Sequence, residues 1–104
     1  MEVTQHSNYV LIKLAKNTKI DTLIDFLETC DPSNSLIIDF LNSNIADHLI
    51  VSKLLPFHFI WQKTNNSFIL VSNIRKKLLN DMVSIKTLEE ALDFFHMEQL
   101  TRNI

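Results

Sequence analysis

Not one glycine occurs in the chain's 104 residues, and this absence excludes several kinds of functional site at once. Phosphate-cradling loops, dinucleotide fingerprints and the nucleophile elbow of hydrolases all need glycine where the backbone turns left-handed or approaches a ligand closely. Cysteine is nearly as scarce: Cys30 is alone, so no internal disulfide can form, and a reducing compartment is expected. Basic charge is not in excess either. Ten Lys and Arg stand against twelve Asp and Glu, which argues against nucleic acid, whose phosphate backbone recruits cationic surfaces. The short run Arg75, Lys76 and Lys77 reads as a solvated face. The longest apolar stretch, His48 to Trp61, is interrupted by Ser52, Lys53, Pro56 and His58 and falls short of the ~20 residues that span a bilayer. No membrane insertion is expected. The first residues, with Glu2 among polar neighbours, do not read as an export signal, so the expected location is cytoplasmic.

What is present is globular composition, 46% apolar and 21% charged at 12.1 kDa, which predicts a single domain over residues 1–104. A domain of this size buries roughly 65% of its unfolded surface, so it needs neither a disulfide nor a metal staple. Two strands, Glu2 to Gln5 and Tyr9 to Leu14, are expected to form a hairpin around His6, Ser7 and Asn8. Ile20, Leu23, Ile24 and Leu27 recur at helical spacing, and Asp31-Pro32-Ser33-Asn34 ends that helix. Ser35 to Phe40 is a continuous apolar run, the pattern of a strand buried on both faces.

Asp47 is placed to cap the next segment, in which Ile50, Leu54, Phe57 and Trp61 form one helical stripe. Pro56 complicates it, because proline inside a helix deletes a hydrogen bond. The local pattern equally allows a helix ending at Leu55, followed by a hairpin of residues 57–61 with 67–71. Beyond the strand at Phe68 to Val71, Ser72 or Asn73 is expected to cap a short helix carrying Ile74, Leu78 and Met82, and Val83 to Ile85 is a brief strand. Thr87-Leu-Glu-Glu90 is a capping box, predicting a helix from Leu88 to about Gln99 with Leu88, Ala91, Leu92 and Phe95 buried. Alternating strands and helices favour an α/β sheet of about 4–5 strands covered by about 4 helices.

Three segments resemble the sulfate-transporter and anti-sigma-factor-antagonist (STAS) domain, especially small stand-alone bacterial antagonists. Leu36-Ile-Ile-Asp-Phe40 with Ile45-Ala-Asp47 is similar to that family's central strand and the start of its Asp-Ser-Ser-Gly-Leu switch motif. Asn66-Ser-Phe-Ile-Leu70 resembles the strand after the switch helix, and Thr87-Leu-Glu-Glu-Ala91 with Met97-Glu-Gln-Leu100 resembles the last helix. The resemblance implies a STAS-like fold and favours the helix over the hairpin at Pro56. It also implies a regulatory partner, an anti-sigma factor or kinase-like protein, and a contact site centred on Asp47, His48 and Leu49 with Ile50 and Ser52 adjoining. The family's phosphorylated serine is matched by Leu49, which has no hydroxyl, and its following glycine by Ile50. Ser43 and Ser52 are nearby hydroxyls outside the matching position. The expected behaviour is that of an interaction module not switched by serine phosphorylation, with homodimerisation through the apolar Leu49 patch as one form of it.

Other candidate chemistry is weaker. Asp47 and His48 are the residue types of an oriented general base, but adjacent residues at a helix start diverge and no oxyanion donors are at hand; no catalytic residues are assigned. His6, His48, His58 and His96 lack close metal-ligand spacing, so neither a metal nor a cofactor is expected. Cys30, after a helix, is one candidate nucleophile, though a lone half-buried thiol is more often packing. Phe57, Phe59 and Trp61 are the candidate lining of a small-ligand pocket, for a nucleotide or lipid, in an alternative reading as a sensor domain; core packing is the commoner fate of such aromatics.

Overall fold

The computed structural model describes residues 1–102. Five strands form one mixed sheet in the order β1 (Glu2–Gln5), β2 (Tyr9–Lys13), β3 (Ser35–Asp39), β4 (Phe68–Val71), β5 (Val83–Ile85). The hairpin β1–β2 is antiparallel and every later pairing is parallel. Helices α1 (Ile20–Thr29) and α2 (Asp47–Lys63) lie in the β2–β3 and β3–β4 crossovers, and α3 (Leu88–Arg102) follows β5. The α/β architecture matches the expectation, with three α-helices instead of about four.

The missing helix is the one expected after β4. Residues Lys76–Leu78 form a single 3-10 turn; Ile74, Leu79 and Met82 are buried, while Leu78 is exposed. Nor does Ser72 or Asn73 cap a helix: Arg75 holds the N-cap position of the 3-10 turn without a side-chain bond, and Ser72 Oγ instead accepts the Ile74 N–H at 3.3 Å.

Strand alternation sends side chains to two separate cores. Val10, Ile12, Leu36, Ile38 and Phe40 face α1 and α2 and pack with Leu23, Leu27, Leu54 and Trp61. On the opposite face Leu11, Ile37, Ile69 and Val71 meet Ala91 and Phe95 of α3. The central strands β3 and β4 are buried on both faces, as their unbroken apolar runs predict.

Helix α2 is continuous through Pro56 to Lys63, which excludes the hairpin alternative for residues 57–71. Proline cannot donate to the carbonyl four residues earlier. Both Ser52 and Pro56 are exposed, so the freed carbonyl lies on the solvent-facing side of the helix. Asp47 does not cap this helix: Ala46 holds the N-cap position without a side-chain bond, and Asp47 is the first helical residue. In α3 one half of the expected capping box is formed, Thr87 Oγ1 accepting the Glu90 N–H at 3.1 Å.

Left-handed backbone occurs without glycine, at Asn65 (φ 59°), Asn80 (φ 49°) and Asp81 (φ 73°). Asn and Asp tolerate this region better than other residues with a Cβ. Asn65 closes α2 in a Schellman motif, its own N–H bonding the Gln62 carbonyl and that of Asn66 bonding the Trp61 carbonyl. Asn80 and Asp81 form the centre of a tight turn whose Met82 N–H bonds the Leu79 carbonyl at 3.0 Å, and two successive positive φ values are the signature of type I′.

Candidate functional site

The switch-like residues sit at the N-terminal end of α2, reached through the loop that leaves β3. Asp39 fixes the start of this loop by accepting the Leu41 N–H at 2.9 Å, and Ser43 Oγ accepts the Ile45 N–H at 3.0 Å. The Ser43 hydroxyl oxygen is thus engaged within the loop. Asp47, His48, Leu49 and Ser52 are exposed. The Ser52 hydroxyl donates to the Leu49 carbonyl at 3.3 Å, a local back-bond within the helix. Ile50 departs from the expected site: it is 2% exposed and packs in the α1–α2 core, so a partner cannot touch it.

The expected aromatic pocket is not formed. Trp61 is 1% exposed, its Nε1 donating to the Asn34 carbonyl at 2.7 Å, and Phe57 is half-buried against the same core. Phe59 lies on the other side of α2, since each step of two residues turns the helix by about 200°. It is 48% exposed. The three rings therefore share no cavity.

Phe59 belongs instead to a stripe along the outer side of α2, which the sequence reading did not single out. Leu49, Pro56, Phe59 and Ile60 are all exposed, with Leu49 at 37% and Ile60 at 43%. On a helix of 3.6 residues per turn they fall within about 100° of one another. The inner side carries Ile50, Val51, Leu54, His58 and Trp61, all buried. An amphipathic surface helix would turn a polar face outward; α2 offers water a second apolar stripe. Ser52 and Lys63 fall within the same arc and Lys53 at its edge, and no carboxylate follows Asp47 within the helix. The signal is visible in the sequence: from Leu49 to Trp61 only Ser52, Lys53 and His58 are polar, too few to furnish a whole hydrophilic face.

Candidate reactive groups are quiet. Cys30 is half-buried, its Sγ directed to the Phe26 carbonyl at 3.4 Å, and burial pushes the thiol's pKa up, away from the reactive thiolate. Among the described residues no group of three His, Cys, Asp or Glu side chains is placed to hold a metal ion, and no helix is long and apolar enough to cross a membrane.

One buried polar group has no place in this scheme. His58, on the inner side of α2, is 8% exposed and neither ring nitrogen has a hydrogen-bond partner in the protein. Burial lowers its pKa, against the attraction of the nearby Asp81 carboxylate, so the neutral ring is favoured. In the sequence His58 stands as a break in an apolar run and as one of four histidines without metal-ligand spacing; nothing there announces an unsatisfied imidazole.

No known protein family's profile matches the chain, and no curated protein matches it.

Proposed function

We propose that the chain is a non-catalytic interaction module of the STAS type, docking a regulatory protein through the exposed N-terminus and outer stripe of α2. The observation that carries this reading is the second apolar stripe, Leu49, Pro56, Phe59 and Ile60, on a helix whose first stripe already supplies the core. Exposed apolar surface of this kind is characteristic of a docking site. Lys53 and Lys63 complement an acidic rim on the partner, which supplies orientation and encounter rate. The resemblance supports a partner of the anti-sigma-factor or kinase-like class. It also supports a contact at the start of α2, where Asp47 and His48 adjoin Leu49.

With Leu49 at the position of the family's phosphoserine, docking is constitutive. Phosphorylation elsewhere in the family would add close to two negative charges at the helix start; a leucine keeps the surface apolar. The nucleotide- or lipid-sensor alternative loses its lining, because Phe57, Phe59 and Trp61 diverge around α2.

The test begins with the partner recovered on the immobilised chain, identified by mass spectrometry and purified. Calorimetric titration should show binding that Phe59→Asp and Leu49→Asp each weaken by about tenfold or more, the scale of an interface hot spot. Undiminished binding by both variants sinks the proposed surface. Incubation of the chain with the partner and ATP should leave its mass unchanged; a phosphoryl adduct on any hydroxyl overturns constitutive docking. A concentration-dependent dimer in sedimentation, abolished by Phe59→Asp, would assign the stripe to a second copy.

A further inference from the structure

Beyond the α2 surface, the sheet has an uncovered edge at β5. This strand lies last in the strand order, with no strand beyond it among the described residues, and all three of its residues are half-buried. The Ile85 carbonyl accepts the Ser72 N–H at 2.9 Å, so residue 85 directs its backbone groups to β4. Successive residues of a strand point these groups to opposite sides, which turns the N–H and C=O of Ser84 outward. The Ser84 hydroxyl does not meet them, being hydrogen-bonded to that of Ser72.

A groove of about 820 Å³ runs along this edge, lined by residues 82–86 in unbroken succession. Its two walls rise on opposite faces of the sheet and differ in chemistry. On the α1–α2 side the β4–β5 crossover supplies Arg75 and Lys76, both exposed, beside the buried Ile74 and Leu79. On the other side α3 supplies the half-buried ring of Phe94. Lys86 stands exposed at the end of the strand. No lining residue is acidic, and none of the three cations has an ion-pair partner among the described residues.

Together these features specify an occupant. A free strand edge takes up an extended backbone, walls on opposite faces meet alternate side chains of that backbone, and a cationic wall opposite an aromatic one selects carboxylates on one side and apolar groups on the other. We propose that an extended segment of a partner protein, its acidic side chains alternating with apolar ones, adds to β5 as a sixth strand. Its main chain bonds Ser84, its carboxylates lie beside Arg75, Lys76 and Lys86, and its apolar side chains turn toward Phe94.

The probe is the peptide acetyl-Glu-Val-Glu-Val-Glu-amide, titrated into the ¹⁵N-labelled full chain and followed in ¹H–¹⁵N spectra. The Ser84 amide and its neighbours in residues 82–86 should shift saturably, while the amides of β1, at the other edge of the sheet, stay fixed. The same peptide N-methylated at every residue keeps its charges but has no strand N–H, and it should fail to bind. A Lys-Val-Lys-Val-Lys counterpart should also fail. Arg75→Gln and Lys86→Gln should each weaken binding by about two- to fivefold, the scale of an exposed ion pair. Phe59→Asp should bind the peptide as the wild type does, so failure of the α2 docking surface and of this groove are separable. No shift at Ser84, equal binding by the N-methylated or the lysine peptide, the same shifts with a short oligothymidylate, or movement of Ser84 with chain concentration alone overturns the proposal.

Discussion

Helix α2 carries two apolar stripes with opposite fates: Ile50, Val51, Leu54 and Trp61 are sealed against the sheet, whereas Leu49, Pro56, Phe59 and Ile60 face water. The residue types are nearly the same on both sides. What separates them is only the phase that the rest of the chain can cover, since α1 and the β-sheet supply one complementary surface. Hydrophobicity alone thus does not distinguish the buried stripe from the exposed one; the distinction lies in what remains uncovered once the core is full.

The inner stripe should dominate stability. Leu54 is fully buried, and Leu54→Ala should destabilise the fold by about 2–5 kcal/mol through lost burial and a residual cavity, measured by urea unfolding. If the loss is below about 1 kcal/mol, the two stripes are energetically alike and the contrast collapses. Pro56→Ala should act in the other direction. Restoring the helix N–H should stabilise by about 1–2 kcal/mol, less than the full cost of an interior proline, because proline also restricts the unfolded chain.

His58 sharpens the comparison because it is the polar member of the inner stripe. Replacing it by phenylalanine removes two unpaired nitrogens at similar size and should stabilise by about 1 kcal/mol or more. It should also flatten the acid limb of the stability profile. The folded-state pKa of His58 lies below its ordinary value of 6.5, so between the two values the unfolded chain binds a proton that the folded chain excludes. Stability from this group is fully present above pH 6.5 and declines as pH falls toward and through the depressed value. Asp81, Glu98 and Arg102 share a surface cavity with the ring, and Asp81→Asn should deepen that decline by removing the charge that favours protonation. Denaturant midpoints from pH 5 to 8 for the wild type, His58→Phe and Asp81→Asn test this; parallel profiles would contradict it. The smallest change is expected on the outer stripe, where Phe59→Ser should move folding stability by no more than about 0.5 kcal/mol. A larger loss would make Phe59 part of the core.

Much of this molecule could be read before its structure was seen, and the reasons differ by element. Strand β4 was located to the residue because four consecutive apolar side chains are needed when both faces of a short central strand are covered. The start of α3 was legible because Thr87 and Glu90 make a local, sequence-encoded cap. Pro56 defeated local reasoning, as the cost of its missing bond depends on whether the freed carbonyl faces water or protein. The β4–β5 crossover was misread as a helix: Ile74 and Met82 are both buried, but through a 3-10 turn and a type I′ turn, with Leu79 replacing Leu78 in the core. At the candidate site Leu49 and Ser52 are exposed and Ile50 is not: the stripe that Ile50 forms with Leu54 and Trp61 already turns it inward, and only the family resemblance set it in the contact surface. The cavity around His58 draws on α2, β4, the type I′ turn and α3, a convergence that no local pattern contains.

The left-handed residues make a different kind of point. Where another chain would bend with glycine, this one bends with Asn65 and Asp81, and both side chains line the His58 cavity. Glycine at either position would relax the backbone but strip the cavity wall of a carboxamide or a carboxylate. Conformational ease and the polarity of that wall are therefore set against each other at the same two Cα atoms.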